Sequence, residues 1–299
     1  MPTDAKHPCP EQDFLTLLLN RYWFAPPVAL WRAIELRVLA AETFIRPLLD
    51  LGCGDGLIAQ VLFKDMDPVG VDPWWDQVHK APQHGVYRYV QQARGDAMPY
   101  PSERVFGTVF SNSVLEHIPH LSPVLSEIQR VLKPGGRLLI TVPSDAFRRL
   151  LEGYQARVAM GDLTGAEAYA QRVDQRLEHY RYFTPQQWEE HLARVGLRLI
   201  RYRYYIPAKV ARLWDRANVA YGIVDNSETM QTLTLPFRHP KRGRFYRWLA
   251  SPRLRGLGYQ SLMRAIVVRQ LRIRWRHAYN AEVPPGGVGA GLLVVGEKV

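Results

Sequence analysis

The chain has 299 residues, 47% of them hydrophobic, and a formal net charge of +11. That size supports a large core domain with room for a second module, and the composition excludes collagen-like, low-complexity and repeat architectures. With only Cys9 and Cys53, and Cys53 inside a glycine-rich turn, a disulfide framework is excluded and a reducing, cytoplasmic setting is expected.

Met1 to Asp13 is polar, carries three prolines and lacks a signal-peptide layout. No apolar run approaches the ~20 residues of a spanning helix. Glu11 to Phe44 then reads as amphipathic helix. Phe14, Leu15, Leu18 and Leu19 recur at helical spacing, as do Leu30, Ile34 and Val38, and Ala25-Pro26-Pro27 breaks the two halves. Residues 1–46 form a helical arm in this reading. The aromatic cluster Tyr22-Trp23-Phe24 is expected to pack.

From Pro47 to Pro143 strands and helices alternate, as in a parallel sheet covered on both faces. Leu48–Leu51 reads as a strand. It runs into Gly52-Cys53-Gly54-Asp55-Gly56 and a helix from Leu57. Glycines suit such a turn because the backbone takes positive φ and a ligand can approach it without a Cβ in the way, next to the N–H donors of a helix start. The next strands are placed at 68–72, 86–90 and 107–111. Ser122 is expected to cap a helix with Pro123 in its first position, and Lys133-Pro134-Gly135-Gly136 to end it. A fifth strand covers 137–142.

Residues 144–182 read as a helical lid following a strand end. Thr184-Pro185-Gln186-Gln187 is a capping box. It opens a helix closed by Gly196. A sixth strand follows at 197–205, and a seventh begins at Gly289. Between them 207–285 reads as an insertion. From Thr229 to Ala281 it holds twelve Lys and Arg and no acidic side chain. A field of one sign attracts anionic lipid, nucleic acid or an anionic substrate. Within it Leu271, Ile273 and Trp275 alternate with Arg272, Arg274 and Arg276, which suggests a strand with one basic face, while 259–268 could be helical.

Four blocks in order resemble the class I S-adenosylmethionine-dependent methyltransferases, in the broad small-molecule and quinone-type (type 11-like) group. They are Leu49-Asp50-Leu51-Gly52-Cys53-Gly54-Asp55-Gly56; Val69-Gly70-Val71-Asp72; Gly95-Asp96-Ala97-Met98-Pro99; and Ser111-Asn112-Ser113-Val114-Leu115-Glu116-His117-Ile118 leading to Leu132-Lys133-Pro134-Gly135-Gly136. The resemblance implies an α/β fold: a doubly wound, Rossmann-like seven-stranded sheet, parallel except for an antiparallel last strand. Its core would be 47–206 plus 286–299.

The resemblance implies S-adenosyl-L-methionine as cofactor, held by Asp50, Gly52, Cys53, Gly54, Gly56, Asp72, Pro73, Asp96, Ala97, Met98, Asn112 and Ser113. Asp50 would reach the amino group of the donor, directly or through water. Asp72 would accept the ribose hydroxyls, Asp96 the adenine amino group. The Ala97 N–H would face the ring, with Met98 packed on it. Asn112 and Ser113 would lie beside the methyl-bearing end.

The expected reaction is direct methyl transfer to O or C of a small-molecule or lipid-like acceptor. Its alignment is supplied by the protein, and a general base serves a hydroxyl or an acidic carbon. His117, His179 and Tyr180 are the candidate catalytic residues. No metal site is expected, since His79 and His84 are not spaced as a motif.

Two other functions compete. The basic insertion suits an RNA or other nucleic-acid methyltransferase. An NAD-type dehydrogenase also needs glycines after its first strand, but its pattern calls for Gly or Ala where Leu57 stands. For a membrane-borne acceptor the Arg-rich insertion would meet an anionic membrane surface, with the protein peripheral at the inner face.

Overall fold

The computed structural model describes residues 5–6, 12–23, 25–101, 105–221 and 259–299. The expectations resting on Cys9, on Phe24 and on the basic residues from Arg238 to Arg255 lie outside them. A short ribbon pairs β1 (Ala5–Lys6) with β2 (Phe44–Ile45). Two helices lie between, α1 (Phe14–Arg21) and α2 (Pro26–Leu39). The break between them falls where the prolines put it, and Pro26 and Pro27 open α2, where no intrahelical N–H partner is lost.

The alternating section gives β3 (Leu48–Leu51), α3 (Leu57–Leu62), β4 (Val69–Asp72), α4 (Trp75–Val78), β5 (Tyr89–Gln92) and β6 (Phe106–Asn112). Then come α5 (Leu121–Val131) and β7 (Leu132–Pro143). The helix α5 starts one residue before the expected cap, from His120, so Pro123 is its third residue. Proline is tolerated there because the first turn has no intrahelical acceptors for its N–H groups. The third core strand lies later than expected; Val86 packs in the core ahead of it.

The expected lid is helical: α6 (Phe147–Leu150), α7 (Glu152–Ala159) and α8 (Leu163–Leu177). The capping box is formed in both directions between Thr184 and Gln187, and opens α9 (Pro185–Ala193). After β8 (Leu197–Pro207), α10 (Ala208–Tyr221) and α11 (Tyr259–Asn280), the chain returns as β9 (Gly289–Lys298).

The sheet order is β5-β4-β3-β6-β7-β9-β8. The pairs from β5 to β7 are parallel, and β9 runs antiparallel to both its neighbours. Strand order reverses between β3 and β6, which puts a crevice at their C-terminal ends. Alternating side chains feed two cores. Leu139, Leu293 and Val295 join α1, α2, α10 and α11 on one face. Leu138, Ile140, Leu292 and Val294 join α5 and α9 on the other.

The alternation of Leu271, Ile273 and Trp275 belongs to a helix, not a strand. In α11, Val267, Val268, Leu271, Trp275 and Tyr279 form one buried stripe, while Ile273 is 63% exposed. Period two was an accident of arginines filling the other positions; spacings of four decide which face is buried. This stripe packs on α1 and α2, and the Arg276 guanidinium meets the Asp13 carboxylate at 2.7 Å. Arm and insertion therefore share one layer of the core.

Candidate active site

The crevice opens into a cavity of about 860 Å³, within the usual range for small-molecule sites, roughly 300–1,000 Å³. At one end its wall is made by the ends of β3 and β4 and the stretch after β5: Gly52, Asp72, Pro73, Trp74, Arg94 and Asp96. Gly52 has φ of +77°, and a Cβ there would stand 2.4 Å from Val114 Cγ2. Its N–H and that of Cys53 donate to the Val71 carbonyl, which ties the turn to β4.

Asp72 is fixed by two backbone donors, Gly54 N–H at 3.0 Å and Trp74 N–H at 2.9 Å. Burial raises its carboxyl above the usual range, and these donors oppose that shift. Each carboxylate oxygen keeps a lone pair for a further donor. Asp96 is held by the Arg94 guanidinium at 2.9 and 2.6 Å, which keeps its carboxyl low. Trp74 is 61% exposed beside them, so its indole face is open to a planar ring.

Several expected cofactor residues stand behind this wall. Asp50 accepts from the Tyr87 hydroxyl at 2.6 Å. Burial pushes its carboxyl up to about 7, the Tyr87 bond opposes that, and the nearby Asp72 adds to it. Cys53 is buried. Gly54 presents its N–H to Asp72. Gly56, at φ +82°, is packed on Tyr87 and Ala81, and the first N–H of α3 is satisfied by Asp55. The Ala97 N–H donates to the Arg94 carbonyl. Met98 is buried in the second core, its N–H held by Glu127.

The other end of the cavity is built by the helices. Trp31, Phe147 and Trp214 come from α2, α6 and α10 and pack edge-on or tilted, with centroids 5.1 to 5.8 Å apart. Between the two ends lies a polar floor. Glu35 is fully buried and accepts from Arg32 at 2.7 Å, Ser113 at 3.0 Å and Tyr205 at 2.9 Å. Ser113 lines the cavity with φ of +50°. Asn112 lies behind it, donating to Thr141 and accepting from Arg32.

Glu116, His117 and His179 meet at this floor, each offering a ligand atom within 4.8 Å of the others. Among the described residues this is the group that could hold a metal ion; Glu116 and His117 are adjacent, but His179 follows α8, too far along the chain for spacing to reveal the group. Glu116 is 2% exposed, and its Oε2 has no hydrogen-bond partner. Burial pushes its carboxyl up to about 8. His117 Nδ1 donates to the Glu178 carbonyl at 3.2 Å. His179 is pushed down to about 3 by burial, and then by the neighbouring His117 and Arg176, so its imidazole is neutral at working pH. Tyr180 does not line the cavity: its side chain is 62% exposed, and its N–H donates to the Glu116 carbonyl.

Residues 27–202, more than half of the chain, match the family model described as a methyltransferase domain. The chain belongs to that methyltransferase family. The match includes α2, which sequence reading had left outside the resemblance, and it removes the dehydrogenase alternative. The methyltransferase is 27% identical over 185 residues to a ubiquinone biosynthesis O-methyltransferase of Xanthomonas oryzae, covering 58% of this chain and 73% of that one. It is 33% identical over 103 residues to the mitochondrial ubiquinone biosynthesis O-methyltransferase of Mus musculus, covering 31% of this chain and 28% of the mouse protein. With a 2-phytyl-1,4-naphtoquinone methyltransferase of Synechococcus elongatus it shares 30% over 136 residues, 42% of this chain and 58% of that one. Among solved structures, geranyl diphosphate C-methyltransferase from Streptomyces coelicolor superposes with a TM-score of 0.44 at 12% identity, covering 84% of this chain and 72% of that one.

The methyl donor is S-adenosyl-L-methionine. The wall fits it: Gly52 leaves room no other residue would leave, Asp72 offers a fixed carboxylate, and Trp74 offers an open aromatic face. Trp74, Arg32, Glu116 and the trio Trp31, Phe147 and Trp214 were missed by sequence reading. Trp74 alone carried a signal, directly after Asp72-Pro73.

Proposed function

We propose that this methyltransferase methylates a hydroxyl oxygen on an apolar, aromatic small molecule of the hydroxyquinone or catechol class. The observation that carries this reading is the cavity's division into two ends. One end is acidic and exposes Trp74; the other is aromatic, with Glu116, His117 and His179 between them. In this reading Asp72 and Asp96 hold the ribose and the adenine, and Gly52 leaves space for the amino-acid tail. Bound there, the donor supplies a methyl group on a sulfonium, which leaves as a neutral thioether. The chain's own part is alignment and proton removal. Trp31, Phe147 and Trp214 seat the acceptor ring, and the histidines face its hydroxyl.

The quinone methyltransferases among the relatives support this acceptor class. So does enclosure by α2, α6, α8 and α10, which leaves a cavity shaped for a small molecule. A lipid-borne acceptor also gives the basic insertion a use. On α11, Arg264, Arg269, Arg272 and Arg274 are exposed together with Leu262, Ile266 and Ile273, a mixture suited to an anionic membrane surface. No described helix is long and apolar enough to cross a membrane. The reading is tested by methyl transfer from labelled S-adenosylmethionine to a panel of alkylated catechols, hydroxyquinones and RNA. Label on a ring oxygen supports it; label on RNA alone overturns it.

A further inference from the structure

One cavity histidine is held from behind by a second pair of side chains. His179 follows the end of α8, where Glu178 takes a left-handed conformation at φ +54° and turns the chain inward. Its N–H returns to the Asp174 carbonyl at 3.1 Å. Its ring Nδ1 lies 3.0 Å from the Tyr182 hydroxyl, and that hydroxyl donates to Asp174 Oδ1 at 2.5 Å. The other Asp174 oxygen forms an ion pair with Arg148 at 3.2 Å. Tyr182 is itself fixed, its ring stacked on Phe147 with an interplanar angle of 13°.

A tyrosine hydroxyl has one proton to give. Here it goes to the carboxylate, so toward His179 the Tyr182 oxygen acts as acceptor. Nδ1 must then carry the imidazole proton, and the lone pair is left on Nε2. The hydrogen bond to one ring nitrogen sets the chemistry of the other.

We propose that Tyr182 and Asp174 are positioning residues that hold His179 as the Nδ1–H tautomer, with Nε2 ready to accept the acceptor's hydroxyl proton. This rests on the methyl-transfer reading above. The balance is simple. The acceptor's O–H bond breaks and its proton goes to Nε2. The oxygen's electron pair forms the bond to the incoming methyl, whose bond to sulfur breaks with its electrons going to the sulfonium. His179 is neutral beforehand, as its burial requires; the imidazolium forms only as the sulfonium charge is lost, so the cavity gains no net charge, and its Nδ1–H points through Tyr182 toward the anionic Asp174. The other two members of the cluster are engaged elsewhere: His117 Nδ1 is turned to the Glu178 carbonyl, and its Nε2 lies 3.9 Å from Glu116 Oε1.

The experiment is nitrogen NMR on full-length protein with labelled histidine, free of donor, with His179 assigned by its loss in His179→Gln. The expected spectrum shows Nε2 as the unprotonated nitrogen. In Tyr182→Phe, which keeps the stacked ring and removes only the oxygen, the preference collapses toward a mixture. With 4-octylcatechol as methyl acceptor, Tyr182→Phe should lower kcat about ten-fold or more and leave KM nearly unchanged. A protonated Nε2 in the unmutated protein overturns the proposal, as does an unchanged tautomer in Tyr182→Phe. If the tautomer behaves as expected but His179→Gln keeps full kcat, the positioning stands and the proton-accepting role in the methyl-transfer reading fails.

Discussion

The Gly54 N–H donates to Asp72 Oδ2 at 3.0 Å, so the turn after one strand and the carboxylate ending the next are a single unit. A change at Asp72 therefore acts twice, on the acidic end of the cavity and on the turn that shapes it. Asp72→Asn keeps the shape and one acceptor oxygen, removes the charge, and turns its NH2 on one of the two backbone N–H donors. We expect it to weaken S-adenosylmethionine binding about ten-fold or more, in line with the ~1.5–3 kcal/mol of a hydrogen bond to a charged group. Asp72→Ala loses both acceptors and should lower the melting temperature further than Asp72→Asn. Asp96→Ala, at the exposed Arg94 pair, should cost affinity with little effect on melting. Titration calorimetry and thermal unfolding read the two effects separately.

The glycines of the turn should not respond alike. Gly52→Ala meets Val114 at 2.4 Å and also carries a positive φ, so a loss of several kcal/mol is expected from strain and displaced packing together. Gly54→Ala has the same backbone sign but open space around the new carbon, leaving only the backbone term of roughly 1–2 kcal/mol. Urea unfolding of the two variants checks the difference. Equal losses would contradict the crowding at Gly52.

Asp50 makes the stability of the donor-free protein depend on pH. Its carboxyl is raised to about 7 in the fold, above the ~3.9 of an unfolded chain. The folded state thus binds the extra proton. Its contribution is fully present below the unfolded value and is lost as pH rises through the folded one, at up to about 1.4 kcal/mol per pH unit. Between pH 4 and 7 stability should fall from this cause. Asp50→Asn, which still accepts from Tyr87, should flatten that part of the curve in denaturant titrations taken at each pH.

The helical nature of α11 can be tested with two isoleucine- and leucine-directed charges. Leu271→Asp puts a carboxylate into the stripe facing α1 and should destabilise the protein by several kcal/mol. Ile273→Asp points to solvent and should stay within about 0.5 kcal/mol. On a strand both residues would lie on one face and behave alike.

Sequence reading located β3, β4, β6 and β7 well because each holds a short apolar run near glycine, proline or aspartate, whereas β5, Tyr89-Val90-Gln91-Gln92, lacks one and was placed too early; the capping box at Thr184 has a local cause. It misplaced α11 because arginine at alternate positions imitates a pleat, whereas the buried stripe depends on a partner helix more than two hundred residues away. At the site, motif spacing found Gly52, Asp72 and Asp96, all of which line the cavity. It could not find the pairing of His117 with His179, or the link from His179 through Tyr182 to Asp174. Those arise where a helix end folds back over a strand end, and no local pattern encodes that return. At Ala97 and Met98 the backbone N–H groups are taken up by the Arg94 carbonyl and the Glu127 carboxylate, contacts that no local pattern signals.

The position of β9 between β7 and β8 constrains how the chain is made. During translation β8 leaves the ribosome with no hydrogen-bonding neighbour, and it waits while some eighty residues, including the arginine-rich stretch, are synthesised. The nascent sheet therefore ends at β7 until residues 289–298 emerge and slide in as its penultimate plank. A chain stalled anywhere in the basic stretch would display the outer edge of β7 and both edges of β8 at once, a strong invitation to chaperones or to aggregation.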